Sequence, residues 1–241
     1  TALDEVRMLM LGTQVLFGFQ LENIFEEGFS NLSSVARSAD LAGFALIIAT
    51  LGLLLAAPAQ HRLVEKGIAT QRIMRVANNF AEGALATFAA ALGFDVYAVL
   101  EPYYGITFAA IAAITACSVA LSAWFGLGYA LRAPLKGKEK PMIEHSGRTS
   151  LHEKIDQMLT EARVILPGAQ AGLGFQFIVT MMHAFSALPH DVQLVHFAAF
   201  ALNGFAVILL LAPAAVHRLT FGVEETDRMQ QIASLVVTIA L

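Results

Sequence analysis

Glu5-Val-Arg7-Met-Leu-Met-Leu-Gly12-Thr-Gln14 recurs as Glu161-Ala-Arg163-Val-Ile-Leu-Pro167-Gly168-Ala-Gln170. The same offset of 156 residues carries Gly18-Phe19-Gln20 onto Gly174-Phe175-Gln176, and His61-Arg62-Leu63 onto His217-Arg218-Leu219, without a gap from Leu3 to Ala77. A self-match at fixed spacing decides architecture before any single motif does. Each copy holds several apolar segments, so the chain reads as an all-α, polytopic transmembrane bundle built from two tandem units.

Composition agrees. Charged residues are 14% of the 241-residue chain and apolar residues 57%, whereas about a quarter of an ordinary soluble domain is charged. No basic face interleaved with aromatics is present, which argues against a nucleic-acid partner. The single cysteine, Cys117, lies in an apolar run, so neither a disulfide framework nor a cysteine-based zinc site is expected. Asp4, Glu5 and Arg7 lead straight into the repeat, unlike a cleavable signal peptide.

A spanning helix needs about 20 mostly apolar residues. Seven such spans are expected near 7–27, 39–59, 74–95, 104–131, 164–185, 194–215 and 227–241. The last stops in mid-run at Leu241, and the repeat implies that it continues and that an eighth span follows. Fourteen of the fifteen basic residues fall on one side of this arrangement, and Arg37 alone falls on the other. The excess of Lys and Arg in cytoplasmic connections then places the amino terminus in the cytoplasm. Four helices separate the starts of the two copies, so both enter the membrane in the same direction, as two parallel four-helix repeats about an axis along the membrane normal.

The expected organisation is a first membrane repeat at 1–132, a basic cytoplasmic linker at 133–149 and a second repeat at 150–241. Ser150-Leu-His-Glu153 has the form of a capping box. It should open an interfacial helix carrying Leu151, Ile155, Met158 and Leu159 on one face. Such a helix would lie against the inner leaflet or dock on a cytoplasmic partner.

The candidate residues form three groups. At membrane depth lie Gln14, Gln20, Gln170 and Gln176, which the copies share, and Glu22 and Glu82, which they do not. Buried amides need partners on a neighbouring helix, so the first and fifth spans should face the bundle interior, and Pro167 should loosen the start of the fifth. Gln14, Gly18 and Glu22 are four residues apart and form one stripe. An acid inside a membrane is a functional candidate by default. Glu82 could pair with Arg75. The cytoplasmic group is Glu5, Arg7, His61, Arg62 and Arg72, mirrored by Glu161, Arg163, His217, Arg218 and Arg228. It could lock helix to helix, or present arginine forks to an anion or an anionic lipid headgroup. The third group, His183, His190 and His196, is the sparser candidate for a metal site, because no fourth ligand has clear spacing.

Glu161-x-Arg163-Val164-x-Leu166-Pro167-Gly168-x-Gln170, followed by Ala212-Pro213-Ala-Ala-Val-His217-Arg218, resembles a family of short, about four-helix bacterial membrane proteins of unknown function. The chain looks like two of them in tandem. The first copy departs from the pattern: Leu11 stands where Pro167 does, and Pro58 is shifted one place toward His61. The resemblance implies a bacterial cytoplasmic (inner) membrane location and no particular chemistry.

Three functions remain open. The polar stripes could line a small-solute or proton/ion pathway. They could instead serve helix contacts in a non-catalytic accessory subunit of a larger membrane complex, or in a homo-oligomer. A haem or quinone protein, using His61 and His217 or the outer histidines, is the third. No P-loop, dinucleotide fingerprint, nucleophile elbow or HExxH is present, so nothing marks an enzyme.

Overall fold

The computed structural model describes residues 2–63, 71–126 and 151–219. Among these residues there is no β-strand. The helices are α1 (Ala2–Asn23), α2 (Glu27–Asn31), α3 (Ser34–Leu63), α4 (Gln71–Leu121), α5 (Leu151–Met181), α6 (His183–Ser186) and α7 (His190–Leu219). A wider π turn, Ser122–Gly126, extends α4. Three stretches are long and apolar enough to cross a membrane: Ser34–Ala56, Asn78–Gly126 and His190–Pro213. Ile106, Ile111, Ile114, Val195 and Leu202 are each at least 61% exposed. A large apolar surface of that kind marks an interaction site in a soluble protein, and here fits contact with lipid. The seventh expected span, residues 227–241, and the 133–149 linker lie outside the described residues.

Where the third and fourth spans are expected, α4 consists of two helical limbs that meet directly at Gly105 with no longer loop between them. The helix runs past position 95 to Tyr104, and the chain then reverses at Gly105, which has φ 79° and ψ 168°. Only glycine adopts that conformation without strain, and Pro102 precedes it. The limb at 106–121 folds back along the first limb: a Cβ on Gly93 would lie 3.2 Å from the Ala113 carbonyl oxygen and 3.3 Å from Cys117 Cβ. Phe88 stacks on Trp124 with ring centroids 5.9 Å apart. The fully buried Trp124 indole donates to the Ile208 carbonyl at 2.9 Å, which fixes the returning limb against α7.

The expected interfacial helix is likewise not separate. Leu151–Met181 is one continuous helix that passes through Pro167. A proline inside a helix removes one backbone hydrogen bond, and neighbouring helices and local adjustments offset that loss in apolar bundles.

Two corners connect the hairpins at the same end of the bundle as Gly105. Gly28 of α2 packs directly on the Met181 backbone, and the Tyr103 hydroxyl donates to the Thr180 carbonyl at 3.0 Å. The corners match at the 156-residue offset. Glu27 and His183 begin α2 and α6, Ser34 and His190 begin α3 and α7, and Leu63 and Leu219 end those longer helices. Arg37 donates to the Ser30 and Leu32 carbonyls, and its counterpart Gln193 donates to those of Phe185 and Leu188. Arg37, the lone basic residue expected at this end, therefore holds a turn together.

The buried face of α1 is Leu9, Thr13, Leu16, Gln20 and Asn23, and that of α3 is Asp40, Gly43, Ile47, Thr50 and Leu54. This alternating three- and four-residue spacing is the seam of closely packed, nearly parallel helices. It leaves the core in layers, most of them apolar. Two are not.

Candidate functional site

The first polar layer is made by α1, α3 and α4. Gln20 and Asn23 sit one turn apart on α1 and are buried. Gln20 Nε2 donates to Asp95 Oδ2 of α4 at 2.5 Å. Asn23 Nδ2 donates to Asp40 Oδ1 of α3 at 2.9 Å. A carboxylate can only accept, so each amide turns its nitrogen toward the acid. Gly43, three residues beyond Asp40, supplies the space: the Asp95 carboxylate lies directly against it, where any Cβ would collide.

These pairings leave acceptors in excess. Gln20 Oε1, Asn23 Oδ1 and Asp95 Oδ1 are buried and have no hydrogen-bond partner. An unmet buried polar atom costs about 1–3 kcal/mol. A proton on one carboxyl group converts an acceptor into a donor, and a bound cation satisfies several oxygens at once. The layer therefore has the composition of a proton or hard-cation site, with oxygen donors throughout.

The second polar layer lies two turns away along α1, about 10 Å at 1.5 Å per residue. Thr13, Thr50 and Gln170 border, together with six apolar side chains, a void of about 10 Å³, on the order of one water-sized probe. The Thr50 and Thr87 hydroxyls are 2.7 Å apart, and Gln170 Oε1 is a further buried acceptor without a partner. Gln170 packs on Gly12 of α1, so the first and fifth expected spans do face each other. Between the two layers lie Leu16 and Ile47, both buried.

On one side of the first layer is a cavity of about 400 Å³, bounded by α1, both limbs of α4, α5 and α7. Its wall is apolar apart from Gln20, Asp95 and Thr115.

Several expected site residues lie elsewhere. Gln14 and Glu22 are exposed, and a Cβ on Gly18 would meet nothing within 4 Å. The four-residue stripe thus points outward, because the buried seam passes through Thr13, Leu16 and Gln20 instead. Glu82 is half-buried, and the side chain of Arg75 lies outside the described residues. Gln176, the mate of Gln20, accepts from Asn203 Nδ2 at 3.0 Å. The side chains of Glu5, Arg7, His61, Arg62, Arg72, Glu161, Arg163, His217 and Arg218 lie outside the described residues, as does Arg228 entirely.

His183 and His190 are exposed. His196 is half-buried, with Nε2 3.1 Å from the Gln176 carbonyl oxygen and its ring 4.8 Å from that of Phe185. Among the described residues no three His, Cys, Asp or Glu side chains gather as a metal site would require. His196 stands at the position in the second segment that Asp40 occupies in the first. Among the described residues, the matching level of the second segment joins Gln176, His196 and Asn203, with an imidazole where Asp40 stands in the first.

Asp40 and Asp95 were not among the sequence candidates. Both fall next to the ends of the expected spans, at 39–59 and 74–95, where an acid reads as solvated. The signal that exposes Asp40 is its spacing to Gly43, Ile47, Thr50 and Leu54. For Asp95 it is the continuation of apolar helix to Tyr104.

The profile of a family of unknown function (DUF6328) matches residues 1–128 and again residues 145–241. Two matched segments in one chain are consistent with a tandem duplication. No curated protein and no solved structure matches the chain.

Proposed function

The chain belongs to the DUF6328 family of unknown function, and from that premise we propose that it passes protons or small cations through its helix bundle. The observation that carries this reading is the Gln20–Asp95 and Asn23–Asp40 layer, whose surplus acceptors call for a positive charge. Asp40 and Asp95 are the carriers, and Gln20 and Asn23 hold them. The Thr13, Thr50 and Gln170 layer is the next station, and a water in its void has polar partners on several helices. The apolar gap at Leu16 and Ile47 keeps the two stations apart at rest.

In this proposal the protein sits in the bacterial inner membrane as two parallel four-helix repeats, amino terminus inside. Its basic connections lie against anionic headgroups. The mirrored arginines and histidines at those connections anchor helix ends, and Gln14, Glu22 and Glu82 are peripheral to the path.

Flux tests the proposal. Liposomes carrying the full chain and an internal pH-sensitive dye should respond to an imposed pH gradient faster than empty ones. Asp95→Asn and Asp40→Asn should each slow that response at least tenfold. Wild-type flux equal to that of empty liposomes, or unaltered flux in both variants, would sink the idea.

The accessory-subunit reading has one supporting observation. An open groove of small side chains, including Ala90, Gly93, Ala110 and Ala113, runs along the two limbs of α4, and such surfaces admit close helix approach. It predicts no flux and no sensitivity to either acid. A quinone fits the cavity less well, since its carbonyls need donors where the wall offers acceptors.

A further inference from the structure

We infer that the cavity beside Asp95 binds a hydrophobic organic monocation, an aromatic or alkyl amine with a single positive charge. This deepens the proposal above and rests on it, because Asp95 is the acid on which both depend. Three features of the wall select that chemistry.

The first is charge. Among the described lining residues Asp95 is the one ionisable side chain, with no Lys, Arg or His to neutralise it. Its hydrogen-bond partner is the neutral Gln20 amide. A cavity with one acid and no basic side chain among its described lining residues suits a single positive charge better than an anion.

The second is aromatic lining. Phe108, Phe177, Phe197, Phe200 and Phe205 all border the cavity. Ring faces attract cations and accommodate flat apolar bodies, by about 0.5–2 kcal/mol for each well-placed ring. Tyr104 continues the surface beyond Phe108 and Phe197, with centroids 5.1 and 5.4 Å away.

The third is size and access. A volume of about 400 Å³ lies in the range of small-molecule sites, which run from roughly 300 to 1,000 Å³ and are mainly apolar with few polar groups. The cavity is partly open, in a bundle whose outward faces are apolar. A ligand dissolved in the bilayer therefore reaches it laterally. Because the proton and the amine would seek the same carboxylate, occupation by one displaces the other.

Ethidium, an aromatic monocation, is a suitable probe for the full-length chain in lipid nanodiscs. Its fluorescence should rise saturably above that in empty discs. Asp95→Asn should weaken affinity at least tenfold, whereas Glu27→Gln, an exposed acid remote from the cavity, should leave it unchanged. Asp95→Asn is also a core change, so Ala201→Trp, which fills the cavity from a residue with an exposed side chain, provides the second variant. It should abolish binding while both acids remain. Ethidium binding that is unaltered by both variants, or no saturable binding to wild type, overturns the inference. Equilibrium binding needs no transport. Asp95-dependent binding without proton flux would thus reject the pathway and keep the ligand, and flux without ethidium binding would do the reverse.

Discussion

At the residue scale, one glycine determines where the acids meet. Gly43 lets the Asp95 carboxylate lie flat against α3, within reach of Gln20 on α1. A methyl group there must displace either the carboxylate or the helix. Gly43→Ala should therefore lower the melting temperature in detergent, at a cost of about 1–3 kcal/mol from overpacking. It should also reduce flux as Asp95→Asn does. Gly52 is the internal contrast: it is on the same helix, and a Cβ there meets nothing within 4 Å. Gly52→Ala should be neutral or stabilising by about 0.5–1 kcal/mol, as alanine replaces glycine in a helix interior. Equal melting temperatures for the two variants would show that Asp95 does not depend on this contact.

At the element scale, the two limbs of α4 depend on Gly105. With φ 79° and ψ 168°, any side chain at this position is strained by about 1–3 kcal/mol. Gly105→Ala should melt measurably lower than Gly126→Ala, where the nearest contact is an ordinary 3.9 Å. Indistinguishable melts would mean that the reversal tolerates a different backbone. The element scale is also where sequence and structure part. Hydropathy locates the apolar limbs of α4, but it cannot see that polar Asp95 and Glu101 remain helical, or that Asp95 finds its partner in Gln20 of α1. The same blindness separates an interfacial helix from the span expected at 164–185, where α5 is one helix from Leu151 to Met181. Conversely, the corners at Glu27 and His183 keep the same turns at the repeat offset although only Phe29/Phe185, Ser30/Ser186 and Leu32/Leu188 are shared between Glu27–Ser34 and His183–His190.

At the scale of the whole molecule, the alternation of helices puts both corners and the Gly105 reversal at one end. Sidedness is open to direct measurement. In a Cys117→Ala background, Ser30→Cys and Ser186→Cys should react with an impermeant maleimide from the same face of the membrane, and Lys138→Cys from the opposite face. Labelling of Ser30→Cys and Ser186→Cys from different faces would refute the parallel arrangement. Membrane character, helix content and the approach of the first and fifth spans were legible in the amino-acid order. The acid layer was not, because Asp40 and Asp95 become neighbours only when three helices pack with a seam that Gln14 and Glu22 do not share.

His196 standing where Asp40 stands in the other segment has a consequence for ancestry. Two separate, identical subunits must carry the same side chain at corresponding positions, so any acid introduced in one appears in both and faces its twin. Joining the copies in one gene removes that constraint and lets each half mutate alone. A protein assembled from two second segments would carry His196 twice and no counterpart of Asp40. A chain that holds both segments carries an acid at one of the two matching positions and an imidazole at the other.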